Sequence, residues 1–436
     1  MKKFLIGLLF FGLMVFWAKP AHAFCGFYVA KADASLYNKA SRVIIARDSD
    51  RTILTMANDY RGEIKDFALV VPVPTVIKEE QVHIGDAKII ERLDAFSAPR
   101  LVEYFDENPC DRRRYLDRAM PSSAPAPVSE ELKPRRDNSL GVTIEEKFTV
   151  GEYDILVLSA RESDGLEIWL RQNGYKLPKG ASQLLQPYIR GKLKFFVAKV
   201  NLQEFSKTGF QSLRPLQIAY ESKRFMLPIR LGMMNSQGEQ DLLVYLLSPK
   251  GQTELTNYRT VKIPSNMDVP EFVQKEFKDF YKNLFQRSYE RENKKVAFLE
   301  YAWDMANCDP CSAEPLSREE LKQAGVFWAD SGRVFISRLH VRYRRDKFPE
   351  DLQFQETANQ EPFQGRYVLR HPYRGEMNCS AANGYRQSVR RRQEEEAKTL
   401  ANLTGWDINK IRGKIDFLKG DPAPWWQRFW RSHPGD

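Results

Sequence analysis

Between residues 334 and 344 the chain alternates with period two. Phe335, Ser337, Leu339, Val341 and Tyr343 fall on one side, and Arg338, His340, Arg342 and Arg344 fall on the other with Val334 and Ile336. Successive side chains of an extended strand point to opposite faces, so the segment is predicted to be a strand with one apolar and one basic face. Two residues of strand rise set neighbouring cations roughly 7 Å apart. Like charges at that spacing repel, so the row needs a counter-charge. Carboxylates from the protein itself would make the face structural; an external anion would make it a site. Residues 331–392 carry 13 Lys and Arg against 6 Asp and Glu, a local excess of +7. Arginine grips anions bidentately, which makes Arg338, His340, Arg342 and Arg344 the candidate anion-binding residues. The plainer reading is a solvated or ion-paired surface.

The first 23 residues read as an export signal, expected to be removed. Lys2 and Lys3 precede an apolar run from Phe4 to Trp17, and Ala21-His22-Ala23 is a small-x-small cleavage site. That run has 14 residues, short of the roughly 20 that span a bilayer. Bulky Phe24 before Cys25 argues against lipidation. Without the signal the net charge falls from +10 to +7, so the excess in 331–392 matches that of the whole mature chain. No later stretch approaches membrane length. The C-terminal Trp425-Trp426-Gln427-Arg428-Phe429-Trp430 suits either a membrane interface or packing onto the body.

A chain with 42% hydrophobic, 28% charged and 12% aromatic residues is globular, not disordered. Residues 42–47 and 52–57 are β-rich around Asp48-Ser49-Asp50-Arg51, a hairpin pattern. Phe67 to Val71 forms a third strand, expected to stop at Pro72 and Pro74 because proline donates nothing to a ladder. Residues 106–140 hold Arg112-Arg113-Arg114 and a Pro-rich stretch and read as a loop or linker. Strands are predicted near 142–149, 153–160, 193–201, 215–221, 224–231, 241–247, 255–263 and 296–303, and helices near 164–173, 182–190, 385–402 and 407–418. A helix over 268–289 is expected from Asp268 as cap, Pro270 in the first turn and the stripe Val273, Phe277, Phe280 and Leu284, widened by Tyr281 and Phe285. Ser317 and Glu320 form a capping box. Strands and helices do not alternate regularly. The fold class is therefore α+β, mostly antiparallel sheet, with helices concentrated in the C-terminal third. The expected parts are a signal (1–23), an N-terminal β-rich part (24–105), the linker (106–140), a central α+β part (141–265) joined to the first, and a C-terminal α+β part (266–436).

Cys25, Cys110, Cys308, Cys311 and Cys379 are the disulfide candidates, since an exported chain meets an oxidising compartment. Five thiols allow two bonds and one leftover. The expected arrangement is Cys25–Cys110 with a second bond within Cys308, Cys311 and Cys379. Cys308-Asp309-Pro310-Cys311 also has the form of a redox pair, but Pro310, Pro315 and Ser317 delay the helix that would lower its thiol pKa. A zinc site would need Cys308, Cys311 and Cys379 with His340 or His371, at no recognised spacing. Of the histidines, His83, His340 and His371 lie in the body of the chain. No nucleophile elbow, His-Glu-x-x-His or phosphate loop is present, and no catalytic residue, metal or cofactor is assigned.

Phe24-Cys-Gly-Phe-Tyr-Val-Ala30, Leu54-Thr-Met-Ala-Asn-Asp59, Phe67-Ala-Leu-Val-Val-Pro-Val-Pro74, Phe195-Phe-Val-Ala-Lys-Val200, Cys308-Asp-Pro-Cys311 and Arg338-Leu-His-Val-Arg-Tyr343 together resemble an exported bacterial family of unknown function, domain-of-unknown-function family 2330. The resemblance implies a periplasmic or extracellular setting and no mechanism. The combined expectation is an exported, non-enzymatic envelope scaffold or adaptor. Its partner would be anionic envelope polymer, lipid head groups or another envelope protein, and not nucleic acid. The alternative is an envelope enzyme, hydrolase-like or thiol-exchanging, with a non-sequential Cys/His site.

Overall fold

The computed structural model describes residues 41–57, 67–111, 142–161, 163–173, 181–208, 213–234, 238–307, 309 and 313–418, with short pieces at 27–30, 37–38 and 60–61. The expected signal, most of the 106–140 linker, Cys25, Cys308, Cys311 and the aromatic C-terminus lie outside these residues.

The hairpin Ser41–Asp48 and Arg51–Ala57 forms as its pattern requires, with Asp48 opposite Arg51. It sits inside a nine-stranded mixed sheet. The order runs Arg259–Lys262, Val296–Asp304, Phe335–Tyr343, Gln240–Ser248, Ser41–Asp48, Arg51–Ala57, Leu216–Glu221 and Val82–Ile84, with Phe363–Gln364 beside Val296–Asp304. Two of its pairings are parallel, Gln240–Ser248 with Ser41–Asp48 and Arg259–Lys262 with Val296–Asp304; the rest are antiparallel. The sheet draws strands from the expected N-terminal, central and C-terminal parts alike. A second, fully antiparallel sheet runs Phe27–Ala30, Phe67–Val73, Lys194–Val200, Tyr153–Ala160 and Val142–Val150.

Period-two alternation decides how these sheets stack. Val43 and Ile45 join Leu69, Val71, Ile155 and Phe196 in a core between the two sheets. Their neighbours Ile44 and Ala46 face the other way, against Ile89, Leu93 and Phe96 of the helix Ala87–Ser97. On the outer face of the five-stranded sheet, Val70, Phe195 and Val197 pack against Leu166 and Leu170 of Ser163–Gln172 and Leu185 and Tyr188 of Ala181–Arg190. The result is helix, sheet, sheet, helix, an α+β architecture. The two longest described helices, Phe277–Arg291 and Ala381–Thr404, lie in the C-terminal part, but Ala87–Ser97, Ser163–Gln172 and Ala181–Arg190 precede it.

Two local expectations are corrected. The strand from Phe67 continues through Pro72 to Val73. Pro72 lies opposite Phe195 in the pairing with Lys194–Val200, and the described pairing with Phe27–Ala30 covers Phe67 to Val70. The helix expected from residue 268 begins instead at Phe277, after a 3₁₀ turn at Glu271–Gln274. Met267–Asp268 is a short strand, and the Asp268 carboxylate takes Arg370 Nε at 3.1 Å instead of capping. The apolar stripe behaves as predicted: Val273, Phe280, Leu284 and Phe285 are buried with Tyr367, Leu369 and Leu400.

Met267–Asp268, Arg366–His371 and Arg100–Phe105 form a small, wholly parallel sheet. Parallel pairing brings the C-terminal ends of its strands together. Asp106, just past one end, accepts Tyr385 Oη at 2.7 Å and Arg392 Nη2 at 2.7 Å from the helix Ala381–Thr404. The same juxtaposition sets the Cα atoms of Cys110 and Cys379 5.7 Å apart and joins them in a disulfide. This corrects the expected Cys25–Cys110 bond: Cys110 is carried to Cys379 by strand pairing across a separation of 269 residues. Non-reducing peptide mapping should recover the Cys110–Cys379 pair. The C110S/C379S double variant should lose about 2–4 kcal/mol of stability in urea; recovery of both cysteines as free thiols from native protein would contradict this.

Candidate functional site

The strand Phe335–Tyr343 keeps its predicted two-faced character. Phe335, Leu339, Val341 and Tyr343 enter the core between the sheets. The opposite face is covered over Arg338 and His340, where the helices Ala87–Ser97 and Phe277–Arg291 lie against it. Arg338, opposite Tyr245 and Tyr301 in its two neighbouring strands, is only 5% exposed.

Its counter-charge comes from an irregularity in the adjacent strand. The register of Val296–Asp304 against Phe335–Tyr343 shifts between Leu299 and Tyr301, which leaves Glu300 as the extra residue of a bulge. Bulges re-aim side chains, and here a carboxylate only 1% exposed is delivered to the basic face. Glu300 Oε2 accepts Arg338 Nε at 2.7 Å, and Oε1 meets His340 Nδ1 at 2.8 Å and accepts the Tyr281 hydroxyl. Its backbone oxygen takes the Gly365 N–H at 2.7 Å, so the bulge is itself fastened. Arg338 Nη1 reaches Asp94 Oδ1 at 2.6 Å, which also accepts Tyr245 Oη at 2.8 Å. On the far side His340 Nε2 lies 3.1 Å from Asp241 Oδ1, and Arg342 grips both oxygens of Asp241 at 2.7 and 2.9 Å while donating to Gln286. The Phe285 ring stacks on the His340 imidazole with centroids 3.9 Å apart.

Asp94, Glu300 and Asp241 thus interleave with Arg338, His340 and Arg342. Burial alone pushes the Glu300 carboxyl up; the His340 and Arg338 charges and hydrogen bonds from His340 and Tyr281 outweigh it and leave the group at about 2. Asp241 is lowered likewise, burial being overcome by His340 and Arg342. For His340 burial acts to lower the value, and Glu300 and Asp241 raise it above the ordinary imidazole range. Arg344 is half-exposed and pairs locally with Asp346. The expectation of a solvent-facing cationic row for an external anion is therefore corrected at Arg338, His340 and Arg342, whose counter-charges are carboxylates of the protein. The signal for this was available in the sequence: Glu300 is a lone acid within the apolar run Val296 to Trp303, and such a charge needs a partner.

The other candidates are dispersed. His83 is exposed on the edge strand Val82–Ile84, and His371 bridges Glu103 at 2.8 Å and Glu271 at 3.2 Å. Cys379, offered as a zinc ligand, is consumed by its disulfide. No cluster of three or more metal-ligating side chains occurs among the described residues.

The basic strand instead generates a stability prediction. Removing Arg338 strands a buried Glu300 charge, so R338Q should destabilise by about 3–5 kcal/mol, whereas R344Q should change urea stability little. The carboxylates, with lowered folded values, contribute stability that is present above their ordinary 3.8 and 4.5 and lost as pH falls through their folded values, about 2 for Glu300. His340, with a raised folded value, contributes stability that is present below 6.5 and lost as pH rises through its folded value. Melting temperature should thus decline from pH 6.5 upward in the wild type and lose that slope in H340Q; an identical slope in both would contradict the assignment.

No described helix is long and apolar enough to cross a membrane. No curated protein and no solved structure matches the chain. The resemblance carried by the N-terminal and strand motifs does extend along most of it: the chain belongs to the family described as uncharacterized protein conserved in bacteria (DUF2330), which matches residues 19–355 and takes in the basic strand with Asp94, Asp241 and Glu300.

Proposed function

We propose that this is an exported, non-enzymatic binding protein of the bacterial envelope that engages an anionic partner through its C-terminal helices. The observation that carries the reading is a concave surface of about 500 Å³ between Ala381–Thr404 and the segment 412–417. Gln387, Arg390, Arg391 and Glu394 stand at i, i+3, i+4 and i+7, one stripe of the long helix. Arg412 and Phe417 supply the opposite wall. Glu394 is spent on Arg412 Nε at 3.1 and 3.2 Å. Arg390 and Arg391 are exposed and carry no carboxylate partner among the described residues. Three guanidiniums against one carboxylate leave the concavity at +2, and planar forks beside an aromatic ring suit phosphate or carboxylate groups. Arg390 and Arg391 are thus the part of the charge in 331–392 that this reading uses. The Cys110–Cys379 bond supports export, since such bonds persist in oxidising compartments.

The test is co-sedimentation of the mature protein with phosphatidylglycerol vesicles and, separately, retention on an anionic polymer, at 20 and 200 mM salt. Binding should weaken with salt, because exposed charges are screened over about 10 Å at 0.1 M. R390Q/R391Q should reduce binding at least tenfold with an unchanged melting temperature. Equal binding by that variant on both ligands, or no binding to either by the wild type, would overturn the reading.

A further inference from the structure

On the other flank of the same helix pair lies a cavity of about 230 Å³. Its apolar wall is Pro270, Phe272 and Ile415, and the rest is polar. Gln393 closes the base by donating to the Asp416 carbonyl at 3.1 Å and accepting the Leu418 N–H at 3.0 Å. Arg374 at the rim is occupied by Asp416 at 2.9 Å and Glu271 at 3.4 Å, and Lys414 by Glu276 at 2.6 and 2.8 Å.

Glu396 differs from these groups. It is 4% exposed, it lines the cavity, and no hydrogen bond to its carboxyl exists among the described residues. Its Oε1 faces Arg392 Nε in an ion pair at 3.5 Å in which neither atom makes a hydrogen bond, while Arg392 Nη2 donates to Asp106. A buried carboxyl without donors is costly, and a sequence that places one on the stripe with Val389, Ala397 and Leu400 has paid that cost at a cavity wall. The carboxylates of Glu271, Glu276 and Asp416 already outnumber Arg374 and Lys414 there, so the missing partner is a cation that donates hydrogen bonds. A divalent ion needs six or more oxygens, and Glu271 and Asp416 are committed to Arg374. An organic cation needs one acceptor and an apolar wall.

We propose that this cavity binds a small primary ammonium compound, its –NH₃⁺ donating to the Glu396 carboxylate and its aliphatic body lying against Pro270, Phe272 and Ile415. Burial raises the Glu396 carboxyl to about 7; Asp268 and Glu271 raise it further in sense, and Arg392 on its own helix and Arg370 on Arg366–His371 oppose. Arg374, Lys414 and Asp416 complete the charges around the cavity, and His371 acts on it through Glu271. An ammonium ligand, itself protonated at neutral pH like a lysine, selects the ionised carboxylate and expels its proton. Affinity should therefore rise about tenfold from pH 6 to pH 8, following the ionised fraction of a group titrating near 7.

Titration calorimetry of the full chain with n-butylammonium chloride tests this, with n-butanol and sodium butyrate as controls. The expected result is one-to-one binding of butylammonium alone, tighter at pH 8, with proton release seen as a dependence of the heat on buffer ionisation enthalpy. E396Q should weaken binding at least tenfold and abolish the pH dependence, while melting no lower than the wild type. I415W, which fills the apolar wall and leaves Glu396 in place, should abolish binding as well and decides the matter should E396Q not fold. Absence of butylammonium binding, equal binding of n-butanol, or retained affinity in either folded variant would overturn the proposal.

Discussion

One buried carboxylate supplies the counter-charge on which the packing over the basic strand depends. Glu300 sits at a bulge, nearly inaccessible, and receives Arg338, His340 and Tyr281. Through Arg338 it is linked to Asp94 on the helix over one end of the strand, and through His340 to Asp241 and Arg342 at the other. A carboxylate this deep is tolerable only because several donors converge on it. The arrangement also sets how the helices Ala87–Ser97 and Phe277–Arg291 cover the sheet. A buried polar network satisfied at most of its members is demanding in geometry, so it favours one packing over its neighbours.

The same device recurs away from the basic strand. Glu152, fully buried, takes Arg214 through Nη2 at 2.7 Å and through its backbone N–H at 2.9 Å. Asp351 accepts Tyr188 Oη at 2.7 Å and the N–H of Ile229 at 2.9 Å. In each case a carboxylate joins elements distant in sequence. Glu396 departs from this rule: it is buried on a helix with Arg392 as a counter-charge 3.5 Å away but no hydrogen bond, next to open volume. That contrast is what separates a group of structural use from one available to a ligand.

The parallel strands Arg100–Phe105 and Arg366–His371 give the C-terminal helices their place. The strand ends converge, Asp106 latches Tyr385 and Arg392, and the disulfide closes over the same point. The long helix is then fixed with Ala397, Leu400 and Leu403 on the aromatic core of Phe280, Phe285 and Tyr367 and another flank carrying exposed arginines. The family match ends at position 355, so it takes in Asp106 and Cys110 but not Tyr385, Arg392 and Cys379 of this clasp, and the arginine surface and the Glu396 cavity belong largely to the stretch beyond it.

Local patterns were legible wherever a single element sufficed to produce them. Period-two alternation marked a strand over 334–344, which forms at 335–343 with its apolar face in the core, the Ser317 and Glu320 capping box formed as written, and the aromatic stripe on Phe277–Arg291 is core. The helix start was misread because Asp268 and Pro270 look like a cap and first turn, whereas Asp268 pairs with the strand Arg366–His371 and Pro270 precedes the 3₁₀ turn. What the chain alone determined is the chemistry of each face: four cations in a row, a lone acid at 300, a glutamate on an apolar stripe at 396. What only the tertiary structure decided is which charges meet. Pairing depends on strand register and helix placement over separations that run from 38 residues for Arg338 and Glu300 to 286 for Arg392 and Asp106, and a charge row has the same sequence whether a carboxylate, a solvent shell or a ligand comes to neutralise it.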